Sequence, residues 1–167
     1  MTLVAVTQPP SVAIRFGVPE DEAGAGALWQ DTGARAVPEG APAARLVASD
    51  PRTGRLLGVA EYFRAFPPED AIGAVAVLPS ERRRGVGTAL LQALARHALR
   101  QGKRNLAGFV AEDDVAAWNL LHSADIPLRV YDIDGGFYVE LDLVSLMREP
   151  SEQRPQPLVV RESVAPY

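Results

Sequence analysis

The stretch Ala74-Val75-Ala76-Val77-Leu78-Pro79-Ser80-Glu81-Arg82-Arg83-Arg84-Gly85-Val86-Gly87-Thr88-Ala89-Leu90-Leu91 joins a buried-strand pattern to a helical one through a turn that holds three arginines and two glycines. Gly85 and Gly87 remove side chains where the chain turns tightly, so backbone N–H groups can come close to a ligand. The helix expected from about Thr88 adds unpaired N–H groups and the positive end of its dipole, and both favour a phosphate. Arg82, Arg83 and Arg84 supply fixed positive charge in the same few residues. A pyrophosphate suits this turn. A Walker loop is excluded by the missing Gly-Lys-Ser/Thr, and a dinucleotide fingerprint by the missing third glycine at its offset.

Working outward, Leu90, Leu91, Leu94 and Ala98 fall on one helical face, and Gly102 is placed to end that helix. Upstream, residues 72–78 read as a strand. Residues 45–49 and 55–63 read as two more, joined by Asp50-Pro51-Arg52-Thr53-Gly54, which has turn chemistry. Residues 12–16 form a first strand, followed by a helix that opens with Pro19-Glu20-Asp21-Glu22 and runs through Trp29. Residues 31–43 lack periodicity and read as a loop.

Downstream, residues 105–111 read as a strand, and Asp113 or Asp114 caps a helix that holds Ala116, Ala117, Leu120 and Leu121 and ends before Pro127. Residues 128–133 and 136–143 form a hairpin around Asp134-Gly135-Gly136. In its second arm Phe137, Val139, Leu141 and Leu143 alternate with Tyr138, Glu140 and Asp142, giving one apolar and one polar face. The expected order is β-α-β-β-β-α-β-α-β-β in one domain over residues 12–147. Residues 1–11 read as a leader, and the polar, proline-rich residues 148–167 as a flexible or surface-packed tail.

The chain has 167 residues, 47% of them hydrophobic and 23% charged, with a net charge of -4. That is enough apolar mass for a core in one domain, and the acidic balance argues against a nucleic-acid partner. The absence of cysteine excludes disulfides, thiolate metal sites and cysteine nucleophiles. No apolar run approaches the roughly 18–20 residues of a membrane span, and the first residues lack the charged start of a signal peptide. A cytoplasmic monomer or homodimer is expected.

The element order together with Arg82-Arg83-Arg84-Gly85-Val86-Gly87 resembles the GNAT superfamily of N-acetyltransferases. The family's signature is Arg or Gln, two residues, Gly, one residue, Gly or Ala, set between a strand and a helix. Val75-Ala76-Val77-Leu78-Pro79 before the signature, Leu90-Leu91 after it and Ile14-Arg15-Phe16-Gly17-Val18-Pro19-Glu20-Asp21 at the start are similar to the family's pattern. The finer texture is closest to the catalytic domain of bacterial protein-lysine acetyltransferases. The resemblance implies a mixed α/β fold: a mostly antiparallel sheet with helices on both faces and splayed strands at a cofactor cleft.

It further implies that acetyl-CoA binds with its pyrophosphate on Arg82, Arg83, Arg84, Gly85, Val86, Gly87 and Thr88. Its pantetheine arm would lie along Val75, Val77 and Leu78, and Asp114 matches a cofactor-contacting position on the following helix. The acceptor would be a primary amine, of a protein or a small molecule, attacking the thioester directly without a metal. A backbone N–H near Val77 would polarise the carbonyl. Two positions depart from the family. Ile72 stands where the lysine acetyltransferases carry a glutamate base, and Leu121 where many relatives carry a tyrosine acid. Glu61 is the candidate base, with Glu69 and Asp70 behind it. The alternative to an active N-acyltransferase is an acetyl-CoA-binding sensor or interaction module.

Overall fold

The computed structural model describes residues 12–32, 40–148 and the backbone of 161–163. The leader, part of the 31–43 loop and most of the tail lie outside the described residues. Among the described residues eight strands form one sheet in the order β1-β2-β3-β4-β5-β7-β6-β8. The strands are β1 (Ala13–Phe16), β2 (Ala44–Ser49), β3 (Leu56–Arg64), β4 (Asp70–Val77), β5 (Asn105–Ala111), β6 (Leu128–Ile133), β7 (Gly136–Asp142) and β8 (Arg161–Ser163). The helices are α1 (Glu22–Thr32), α2 (Val86–Arg100) and α3 (Val115–Ser123). The first four strands form an antiparallel meander. β4 and β5 run parallel, because α2 carries the chain back across the sheet between them. The mixed, mostly antiparallel sheet with helices on both faces is the fold expected from the sequence.

Each face of the sheet has its own core. On one side the apolar stripe of α2 (Leu90, Leu91, Leu94, Ala95, Ala98) packs on Leu46, Ala60, Tyr62, Ala71 and Leu106. On the other, Ala25 and Leu28 of α1 cover Val47, Val59 and Ala76. β3 reads as an apolar run because both of its faces are covered, and it is buried from Leu57 to Phe63. Leu90, Leu94 and Leu143 are fully buried; each such side chain is worth about 1.5–3 kcal/mol relative to exposure. Among the described residues no helix is long and apolar enough to cross a membrane.

Several element ends differ from the sequence expectation. α2 starts at Val86, two residues before Thr88, because Gly85 takes a left-handed φ of +79° and serves as its N-cap. β4 starts at Asp70, ahead of residue 72, because its pairing with β5 begins there. Pro19–Asp21 form a 3-10 turn that leads into α1. Within the tail, Arg161–Ser163 pair in parallel with β6 as the sheet's outermost strand.

Candidate active site

β4 and β5 pair over three residues only: Asp70 with Asn105, Ala71 with Leu106 and Ile72 with Ala107. Beyond that point β4 continues to Val77 and β5 to Ala111, each still bonded to its outer neighbour but no longer to the other. A wedge therefore opens in the middle of the sheet, edged by two strands with unspent backbone groups. Along β4 these groups alternate in direction. The N–H of Leu78 bonds the carbonyl of Leu57 at 2.9 Å, so the even-numbered positions address β3, and Val75 and Val77 turn their N–H and C=O into the wedge. Leu78 has its N–H engaged and packs its side chain against the α1 core.

The wedge ends at the arginine turn. A 3-10 turn over Pro79–Glu81 leads into Arg82, Arg83 and Arg84, all exposed. Arg83 takes φ +64° and Gly85 φ +79°, left-handed positions of the kind from which anion nests are built. Among the described residues no side chain caps α2, which leaves the first N–H groups of a fifteen-residue helix available to a ligand. Arg84 Nη1 lies 3.3 Å from Glu81 Oε2, an exposed pair of little energetic weight. A Cβ on Gly87 would come within 3.2 Å of Leu120 and 3.3 Å of Val77, so the turn is pressed against both β4 and α3. Thr88 follows in the first helical turn.

α3 closes the far side. Asp114 accepts the N–H of Ala117 at 3.0 Å as its N-cap, which settles its local role and leaves its carboxylate exposed. Leu121 packs against the α2 core. Trp118 stacks edge-on to Phe137 with centroids 5.2 Å apart and ties α3 to β7.

The acidic residues differ sharply. Glu61 is 2% exposed and lies beside Ala74 of β4, on the α1 face. Its Oε1 accepts from Arg45 Nε at 2.7 Å and Trp29 Nε1 at 3.2 Å, and Arg45 Nη1 reaches Glu22 at 2.8 Å. Burial works against the Arg45 cation, but the hydrogen bonds to Glu22 and Glu61 outweigh it and hold its pKa above the ordinary value. Asp70 sits at the closed end of the wedge, where its Oδ1 accepts Asn105 Nδ2 at 2.9 Å. Glu69 is exposed. Sequence reasoning missed Trp29 and Asn105, which reach these acids from 32 and 35 residues away and leave no local signal. His97 packs between Phe16 and Tyr62, far along α2 from the turn.

A sequence profile of the acetyltransferase (GNAT) family matches residues 15–124, from β1 through α3 and across the whole wedge. The chain belongs to the GNAT family. Its acetyl donor is accordingly acetyl-CoA, and the exposed N–H groups of the turn and the open edge of β4 fit a pyrophosphate followed by an amide-bearing arm. Among curated proteins none matches the sequence. A GCN5-related N-acetyltransferase from Kribbella flavida is similar in structure at 23% identity and TM-score 0.63, over 80% of this chain and 98% of the other. Salmonella typhimurium yncA, solved with acetyl-CoA, superposes with TM-score 0.64 at 18% identity over 89% and 99%. The diaminobutyrate acetyltransferase EctA from Paenibacillus lautus gives 0.63 at 21% over 80% and 96%. These likenesses show the GNAT fold.

Proposed function

We propose that this GNAT domain transfers the acetyl group of acetyl-CoA to a primary amine by direct attack. The observation that carries the reading is the three-residue β4–β5 pairing with an uncapped, arginine-rich helix start at its end. When bound, acetyl-CoA supplies an activated thioester. Arg82 to Thr88 hold the pyrophosphate through N–H groups and the α2 dipole. Val75 and Val77 offer strand-like hydrogen bonds to the arm. Val77 lies against the turn and so meets the start of the arm rather than the thioester, and the Val75 N–H, the open donor nearest the closed end, is the one aimed to stabilise negative charge on the carbonyl oxygen. The α1 face of the wedge is left for the amine.

Proton handling distributes differently from the family pattern. Ile72 and Leu121 cannot exchange protons. Glu61, the candidate base, is buried and held by two donors, an arrangement that favours positioning α1 and Trp29 at the wedge over free exchange with a substrate. Asp70, half-buried at the closed end, lies five residues of extended strand from Val75 and seven from Val77, over about 16 Å and beyond the reach of one water, so the amine proton leaves to water at the open side of the wedge. The comparison of Glu61→Gln with Asp70→Asn tests this assignment. An acidic limb of the pH–rate profile that survives in both variants supports it; loss of that limb in Glu61→Gln returns the base to Glu61, and loss in Asp70→Asn makes Asp70 the base.

The cofactor reading is tested by thermal unfolding with and without acetyl-CoA. At a concentration about a hundredfold above Kd, binding stabilises by about 2.7 kcal/mol. No shift at millimolar cofactor would sink the proposal.

A further inference from the structure

Beyond α1, the sheet face beside the wedge carries side chains that the cofactor reading leaves unassigned. Directly paired residues project to the same side, so the pairing fixes who shares that face. Ile72, Ala107, Glu140 and Arg129 form one rung, and Phe109, Tyr138 and Tyr131 the next. Asp70 and Asn105 lie one rung toward the closed end. All are on the α1 side, because Ile72 pairs with Phe63 of β3 in the same alternation as Glu61 and Val59.

The aromatic residues form a wall where β5 has already left β4. Phe109 is 42% exposed, and the rings of Tyr131 and Tyr138 stand 6.2 Å apart at 48°. Tyr138 is half-buried. Burial, and then the negative charges of Glu140 and Asp70, hold its phenol above the ordinary pKa, so it remains a neutral hydrogen-bond donor. Neither Asp70 nor Glu140 makes an ion pair with a described residue. Arg129 faces Glu140 from β6 without closing to ion-pair distance.

We propose that this wall recognises the acceptor as an aliphatic amine bearing a second positive charge, with Tyr138 as the positioning residue and Glu140 reading the retained charge. The inference rests on the acetyltransferase reading of the wedge. Its logic is a constraint of the chemistry: the nitrogen that attacks must be neutral. A surface of aromatic faces and carboxylates attracts ammonium groups, so what it rewards is a charge that survives the reaction, on another group of the same molecule.

The test compares diaminobutane with aminobutane as acceptors, following CoA release with acetyl-CoA saturating. The wild-type protein is expected to show a KM about tenfold or more lower for the diamine. Tyr138→Ala and Glu140→Gln should collapse that preference severalfold through KM with kcat less affected, whereas Tyr138→Phe, which keeps the ring, should retain most of it. Equal KM values for the two amines, or a preference untouched in both Tyr138→Ala and Glu140→Gln, would overturn the proposal. If neither amine is turned over, thermal unfolding with CoA present decides: a shift on adding diaminobutane that Tyr138→Ala abolishes supports it, and no shift overturns it. An unaltered CoA-induced shift in every variant shows that fold and turn are intact. A wild-type protein that CoA itself does not stabilise removes the cofactor reading and this inference together.

Discussion

β5 has two neighbours, and it treats them differently. Along β7 it pairs over seven residues, from Asn105 with Asp142 to Ala111 with Gly136, while along β4 it pairs over three. Both neighbours are long enough to continue: β4 has eight residues and β7 seven. Strand length therefore does not set the opening, which lies where Gly87 of the arginine turn packs against Val77 of β4 and Leu120 of α3. A closed seam stores stability in its side chains, and an open one keeps backbone groups in reserve for a ligand.

The comparison breaks most visibly at the turn. Gly87→Glu places a side chain where Leu120 and Val77 already crowd and adds negative charge at the proposed phosphate position. Acetyl-CoA affinity should fall at least about a hundredfold, measured by calorimetry, while the cofactor-free protein keeps its circular dichroism spectrum. Leu141→Ala attacks the closed seam: this side chain is 3% exposed and pairs with Leu106 and Leu128. Stability should fall by about 3 kcal/mol in urea titration, with CoA affinity within a factor of about two if the seams are energetically separate. Equal damage to affinity would show that they are not.

Smaller effects sharpen the picture. Arg45→Ala strands the buried Glu61 carboxylate and should cost about 2 kcal/mol. It should also loosen α1 at the wedge, seen as faster hydrogen exchange in Glu22–Thr32. The smallest effect lies outside both seams. Asp21 accepts two hydrogen bonds from Arg15 and one from the Val18 N–H, and the Arg15 contact holds its pKa below the ordinary value. A depressed folded pKa contributes stability that is present above the unfolded pKa of about 3.9 and is lost as pH falls through the folded one. Because Arg15 is substantially exposed, the contribution is about 1 kcal/mol. Asp21→Asn should lower stability at neutral pH and flatten its decline in acid, with CoA binding unchanged.

How much of the molecule was legible in the sequence depends on how local each signal is. The turn, the α2 stripe and the hairpin around Gly135 were readable because glycine, leucine spacing and alternation act within a few residues. The start of α2 shifted by two residues because Gly85, rather than a polar residue, serves as the cap, and no side-chain chemistry marks it. The chain order also showed that residues 136–142 carry a polar face. It could not show that Tyr138 and Glu140 border the wedge, since that depends on β7 lying next to β5, across a crossing of some 30 residues from one pairing partner to the other. Glu61 was visible as an acid on a strand. Its partners were not, because Arg45 and Trp29 meet it only through the stacking of α1 on the meander.

Arg83 carries a consequence of its own. It holds φ +64° without being glycine, a conformation that costs an L-residue about 1–2 kcal/mol. Replacing it with glycine is expected to make the domain more stable and, if the turn holds the pyrophosphate as proposed, to weaken acetyl-CoA binding by loosening the peptide planes on either side. On the proposed reading of the turn, a search for sturdier versions of this protein would thus converge on position 83 and lose affinity there.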